Sequence, residues 1–227
     1  MSAFFRVAWL VLRKDLAIEV RSWELVLTTV FFAVSCVLVF AMAFVVEGRA
    51  VSDVAAGILW VAIAFSGTLA LGRTFERERQ TETLRALLLA PSDRPALYLG
   101  KLLGILCLMA LTQVVLVPLV GLFFQAPITS RPLLFAALLA AGTIGYASVG
   151  TLFAAMLVRA RSRDVMLPVL LYPMTVPVMI AGVRGTAALF QATPDDAVAR
   201  FWLGLLVFFD VIFVTLALWT FEALMTE

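Results

Sequence analysis

The chain has 227 residues, 63% of them hydrophobic and 14% charged, with a net charge of +2 and a mean hydropathy of +1.07. That composition excludes a soluble globular domain, and the basic residues, set between apolar runs rather than among aromatics, exclude a nucleic-acid surface. No His occurs, which removes the usual general base and the commonest metal ligand and argues against an enzyme.

The chain opens on MSAFFRVAWLVLRKDLAIEVRSWE, in which Phe4, Phe5, Ala8, Leu12, Leu16 and Val20 recur at helical spacing between charges. This predicts a helix over about residues 3–21, lying in the membrane interface. It lacks the compact apolar core and small-residue cleavage site of a signal peptide and is expected to be retained. A hydrocarbon layer about 30 Å thick is crossed by roughly 20 apolar residues in a helix. Six runs meet that requirement, near 23–45, 54–72, 97–124, 132–158, 165–183 and 201–224. The period-two alternation of a membrane barrel is missing, so the expected fold is all-α, a single polytopic transmembrane domain over 1–227. Cys36 and Cys107 both fall inside these runs, form no CxxC pair, and read as apolar filler.

Between the second and third spans lies RTFERERQTETLRALLLAPSDRPALYLGK. Arg73, Arg77, Arg79 and Arg85 interleave with Glu76, Glu78 and Glu82, predicting an amphipathic helix over about 74–90 suited to docking a partner. The distribution of basic residues gives an orientation. Thirteen of the seventeen fall before the first span, between Arg73 and Lys101, or at Arg159, Arg161 and Arg163; the other side holds only Arg49, Arg131, Arg184 and Arg200. Because cytoplasmic loops retain Arg and Lys, both termini are expected in the cytoplasm.

Gly100-Lys101 is followed by Leu and preceded five positions earlier by Pro95, so no phosphate cradle forms and the chain does not bind ATP through a P-loop. No HExxH, GxSxG or tight intramembrane acidic cluster occurs. Gln113 in the third span and Asp210 in the sixth are polar groups at membrane depth, read as interhelical hydrogen-bonding residues or substrate contacts. In the fourth span Gly142, Gly145, Ser148 and Gly150 predict a close helix contact, within the chain or against another subunit. The fifth span carries Pro168, Pro173 and Pro177, which predict a kinked or broken helix, a hinge packed inside the assembly or lining a path. The stretch from Arg184 to Arg200 is expected to form a shallow re-entrant or interfacial element on the outer face.

Taken in order, RKDLAIEVRS, GILWVAIAFSGTLALGRTFERERQTETLRALLLAP, YLGKLLG, GTIGYASVGTLFAAM, RSRDVMLPVLLYPMTVPV and FEALMTE run the length of the chain. This series resembles the CcmB family, haem exporter protein B, the permease subunit of the cytochrome c maturation system. The resemblance implies an ABC-2, type V exporter-like permease fold in a bacterial inner membrane. It implies a non-catalytic subunit partnered by a separate CcmA-type ATPase, by CcmC- and CcmD-like membrane proteins, and functionally by the haem chaperone CcmE. ATP hydrolysis in that system is expected to release haem-loaded CcmE. Residues 74–90 become the coupling helix, with Glu76, Arg77, Glu78, Arg79 and Glu82 as polar contacts and Leu84, Leu87 and Leu88 as an apolar patch. No cofactor is assigned to this chain itself, haem and ATP being handled by the complex. Without His, iron ligands here reduce to Tyr146, Tyr172, a Met or a Cys. Two further readings stand beside this one: an ATP-driven permease for another amphipathic substrate, and a scaffold of a haem-delivery complex that transmits no force. A secondary transporter is disfavoured, since no paired intramembrane acids or inverted repeat is evident.

Overall fold

The computed structural model describes residues 3–46, 49–50, 54–80, 94–160 and 162–224. Among them are seven α-helices: α1 (Ala3–Ser22), α2 (Glu24–Phe44), α3 (Ala55–Gln80), α4 (Arg94–Phe124), α5 (Pro132–Met156), α6 (Arg163–Phe190) and α7 (Asp196–Leu224). A 3-10 turn, Leu157–Arg159, follows α5, and a two-residue antiparallel ladder pairs Val45 with Ala50 and Val46 with Arg49 after α2. Six helices, α2 to α7, each contain a segment long and apolar enough to cross a membrane. The chain is an all-α, six-span membrane protein. An even number of crossings brings α1 and the end of α7 to the same end of the bundle. That end, which also holds the exit of α3, the start of α4 and the start of α6, is called the charged end below.

Helix α1 stays outside the bundle and docks on α4 by one stripe. Ala8, Val11 and Leu12 are buried, and Asp15 continues the same face one turn on. The chain then turns sharply at Trp23, whose φ of 53° is left-handed, a conformation uncommon for a residue with a side chain. The corner is held by hydrogen bonds: the Trp23 N–H donates to the Glu19 carbonyl, and the Val26 N–H donates to Glu19 Oε1 at 2.8 Å.

The structure removes one of the two alternatives for the fifth span, the broken helix, and corrects the reading of the stretch after Arg184. The three prolines do not break the fifth span: α6 runs without interruption from Arg163 to Phe190. Each proline removes one donor, while neighbouring residues on the same turn keep theirs, so the ladder is thinned rather than severed. Pro173 and Pro177 also lie on the exposed side of α6, whereas Leu167, Leu171, Thr175 and Val178 face the bundle. In addition, residues 184–190 form no separate re-entrant element. They are the last turns of α6, with Gly185, Thr186, Ala188 and Leu189 buried, and α7 already begins at Asp196. Asp195 fixes that start by accepting the N–H groups of Ala197 and Val198, both at 3.0 Å.

The centre of the bundle is organised by Trp60 of α3, which is fully buried. Its ring lies against Gly142 of α5 and Gly182 of α6, so closely that a Cβ at either position would overlap it. Its Nε1 donates to Thr186 Oγ1 at 3.0 Å, which satisfies the one polar atom of the indole in apolar surroundings. Helices α5, α6 and α7 pack on one another, and α3 packs against α2, α4 and α6.

Candidate functional site

The charged end brings together the charged extension of α3 and the buried cations Lys101 and Arg163. Helix α3 does not stop where its apolar run stops: the crossing segment Ala55–Arg73 continues as the same helix to Gln80. Glu76, Arg77, Glu78 and Arg79 therefore stand on the last turns of the helix that spans the membrane. Glu82, Leu84, Leu87 and Leu88, and with them most of the expected coupling helix over 74–90, lie outside the described residues.

Just inside this exit, α3 is held on several sides. The Leu71 side chain presses on Gly150 of α5, leaving no room for a Cβ there. Arg163, at the first turn of α6, is 2% exposed and donates from Nη2 to the backbone carbonyls of Gly72 at 2.8 Å and Leu71 at 3.2 Å. The next residue, Arg73, places Nη1 3.6 Å from Glu24 Oε1 at the start of α2, an exposed pair. A buried guanidinium is tolerated only where carbonyls or carboxylates replace its water, and two helix carbonyls with free lone pairs do so for Nη2.

A second ionic contact ties α1 to α4. Lys101 Nζ lies 2.7 Å from Asp15 Oδ2, with only 7% of the lysine side chain exposed. Lys14 Nζ also approaches Asp15, at 3.2 Å from Oδ1. Gly100 makes the approach of the two helices possible, since a Cβ there would sit 2.7 Å from Val11 Cβ and 2.8 Å from the Ala8 carbonyl oxygen. The Gly-Lys pair that fails as a phosphate cradle thus serves as a helix-docking step.

Deeper in the membrane, hydroxyl groups of three helices converge. Tyr146 donates to the Ala64 carbonyl at 2.7 Å and lies 2.6 Å from Thr68 Oγ1, while Thr68 reaches the Tyr172 hydroxyl at 3.2 Å. Tyr146 is enclosed by the bundle; Tyr172 is half-buried with its ring edge-on to Phe65. Gln113 donates to Thr143 Oγ1 at 2.6 Å, joining α4 to α5. Asp210 faces Gly145 from α7, and its buried Oδ1 has no hydrogen-bond partner among the described residues. Ser148 donates to the Gly145 carbonyl, and its own carbonyl accepts from Tyr98. The four small residues of α5 thus face different neighbours: Gly142 meets Trp60, Gly145 meets Asp210 and Val178, Gly150 meets Leu71, and Ser148 is wholly buried. Pro168, Pro173 and Pro177 are not brought to the α3 exit; they follow along α6 beyond Arg163.

Sequence reasoning missed Trp60, the Asp15–Lys101 pair and the role of Arg163. For Asp15 a signal existed, since an acid on the apolar stripe of α1 requires a cation facing it. Arg163 was counted among loop charges, and nothing local distinguishes it from Arg159 or Arg161.

Comparison with known proteins places the chain clearly. The family described as CcmB protein matches residues 6–226. A heme exporter protein B from Pseudomonas aeruginosa is 28% identical over 176 residues, covering 78% of each chain. Its counterpart in Paracoccus denitrificans is 32% identical over 157 residues, covering 69% of this chain and 71% of the relative. A heme exporter protein B from Haemophilus influenzae is 26% identical, covering 75% of this chain and 76% of that one.

Proposed function

The chain belongs to the CcmB protein family, and from that premise we propose that it is the non-catalytic membrane subunit of an ATP-driven complex that handles haem during cytochrome c maturation. Its relatives carry the name heme exporter protein B, and haem is the cargo of the proposed complex. The observation that carries the transducing part of the reading is the continuity of α3 from Ala55 to Gln80, which joins a membrane span to the charged segment without a joint. A helix extended in this way moves its membrane portion when its outer turns are pushed.

ATP is bound and hydrolysed on a separate CcmA-type chain, since this sequence has no P-loop. That ATPase engages the segment from Glu76 to Leu88, with the alternating charges setting orientation and Leu84, Leu87 and Leu88 providing apolar contact. CcmC- and CcmD-like membrane proteins complete the complex, and its output is the release of haem-loaded CcmE. The complex sits in the bacterial inner membrane with the charged end facing the cytoplasm, in keeping with the excess of Arg and Lys there.

The test is a mild-detergent pull-down of the tagged chain from its native membranes, comparing wild type with Glu78→Arg. Recovery of a P-loop ATPase and CcmC-like proteins with wild type, and loss of the ATPase alone with the variant, is expected. An ATPase recovered without any haem-handling protein would replace haem with another amphipathic substrate. Full cytochrome maturation by Glu78→Arg and by Leu84→Asp would remove the transducing role and leave a scaffold.

A further inference from the structure

We infer that Arg163 is a positioning residue, the joint through which displacement of the charged extension of α3 reaches α6; this rests on the transducing role proposed above. The placement is specific. Arg163 is itself the first residue of α6, and the two carbonyls it holds belong to Leu71 and Gly72, at the point where α3 leaves its apolar segment. On one side of that point lie the turns carrying Glu76 to Arg79; on the other lies the Trp60 socket that locks α3 between Gly142 and Gly182.

What the guanidinium grips matters as much as where. Its two bonds to α3 go to main-chain oxygens, so these bonds follow the position of the α3 backbone whatever the rotamers of the α3 side chains. Nη2 alone reaches both carbonyls, and the rigid guanidinium plane fixes the direction of its two N–H groups, whereas an ammonium turns freely about its last bond. The site is almost free of water at 2% exposure, so the bonds face little solvent competition. Apolar packing such as Leu71 on Gly150 lets helices slide, whereas a buried guanidinium bonded to carbonyls resists any shift that would strand it. Movement of α3 along its axis or away from the bundle therefore carries the first turn of α6 with it. Pro168 lies just over a turn beyond the joint, where the thinned hydrogen-bond ladder lets the first turn of α6 swing relative to the rest.

The experiment uses the chain reconstituted in nanodiscs with its co-purified ATPase, in a background with Cys36 and Cys107 replaced by Ala. Spin labels are placed at two exposed positions, Val165 in the first turn of α6 and Leu133 at the opposite end, and their separation is measured by pulsed electron resonance with and without ATP. With Arg163 intact, ATP is expected to shift the distance distribution. Arg163→Met is expected to lose that shift while the ATPase remains bound and continues to hydrolyse ATP. A purely structural role would not separate those readouts. Arg163→Lys, which keeps the charge but not the rigid plane, is expected to retain only part of the shift and serves as the deciding variant if the Met form does not accumulate. A full wild-type shift in either variant overturns the inference and leaves the proposed function standing. Absence of any ATP-dependent shift, or of any ATPase, with Arg163 intact overturns both.

Discussion

At the charged end, Lys101 meets Asp15 with 7% of its side chain exposed and Arg163 grips two carbonyls at 2% exposure; at the opposite end, Arg131 meets Asp196 at 2.9 Å with 53% of the arginine side chain exposed. Helix α4 shows the same contrast in its glycines. Gly100, at the charged end, faces the Val11 Cβ and the Ala8 backbone oxygen, whereas Gly121, near the other end, faces the tip of the Ile128 side chain. The charged end is fastened by buried charge and backbone-to-backbone approach, both intolerant of displacement. The opposite end is closed by a solvated ion pair and by side chains that can rotate. The proposed transducing role calls for the first kind of contact, because compliance there would absorb the motion.

Substitutions ordered by expected effect sharpen this contrast, each read as a shift in thermal unfolding in one detergent. Gly100→Ala should cost the most, about 3 kcal/mol, since neither the Ala8 carbonyl nor the Val11 Cβ can rotate away. An unchanged midpoint would mean that α1 is free to lift from α4. Asp15→Ala should follow at about 2 kcal/mol, because it takes the carboxylate from a lysine that is nearly water-free. Adding Lys101→Met should recover most of that loss, as removing both charges also removes the desolvation cost; a double variant no better than the single would assign the effect to packing. Gly121→Ala should cost less than about 1 kcal/mol, the Ile128 methyl turning aside. A loss equal to that of Gly100→Ala would erase the distinction between the two ends. Arg131→Ala should be smallest, about 0.5 kcal/mol, and should vanish in high salt as an exposed pair does; an effect that survives high salt would show that the outer pair is not merely superficial.

How much of this was legible beforehand depends on the range of the interaction. The apolar runs reveal themselves because span length is set by local composition, and the spacing of Ala8 and Leu12 announced α1 in the same way. Of a break at Pro168, Pro173 and Pro177 nothing remains, because the bonds their neighbours keep in a packed helix carry α6 through all three. The stretch after Arg184 was split from its helix because one charge interrupts the apolar run, although Gly185 and Ala188 bury against the bundle. The small residues of α5 suggested close contact, but which neighbour fills each gap was not written in that segment.

By itself the sequence determined an all-α membrane protein, the number of its spans, the end at which charge collects and the family it resembles, since each follows from composition or from residues close together in the chain. Tertiary structure alone decided which charges leave water and what they hold. Arg163 finds its carbonyls 91 and 92 residues away, Lys101 its carboxylate 86 away, and Trp60 its hydroxyl 126 away. Desolvation is a property of the assembled bundle: a basic residue beside an apolar run reads the same whether it faces solvent or another helix, until the other helix is in place.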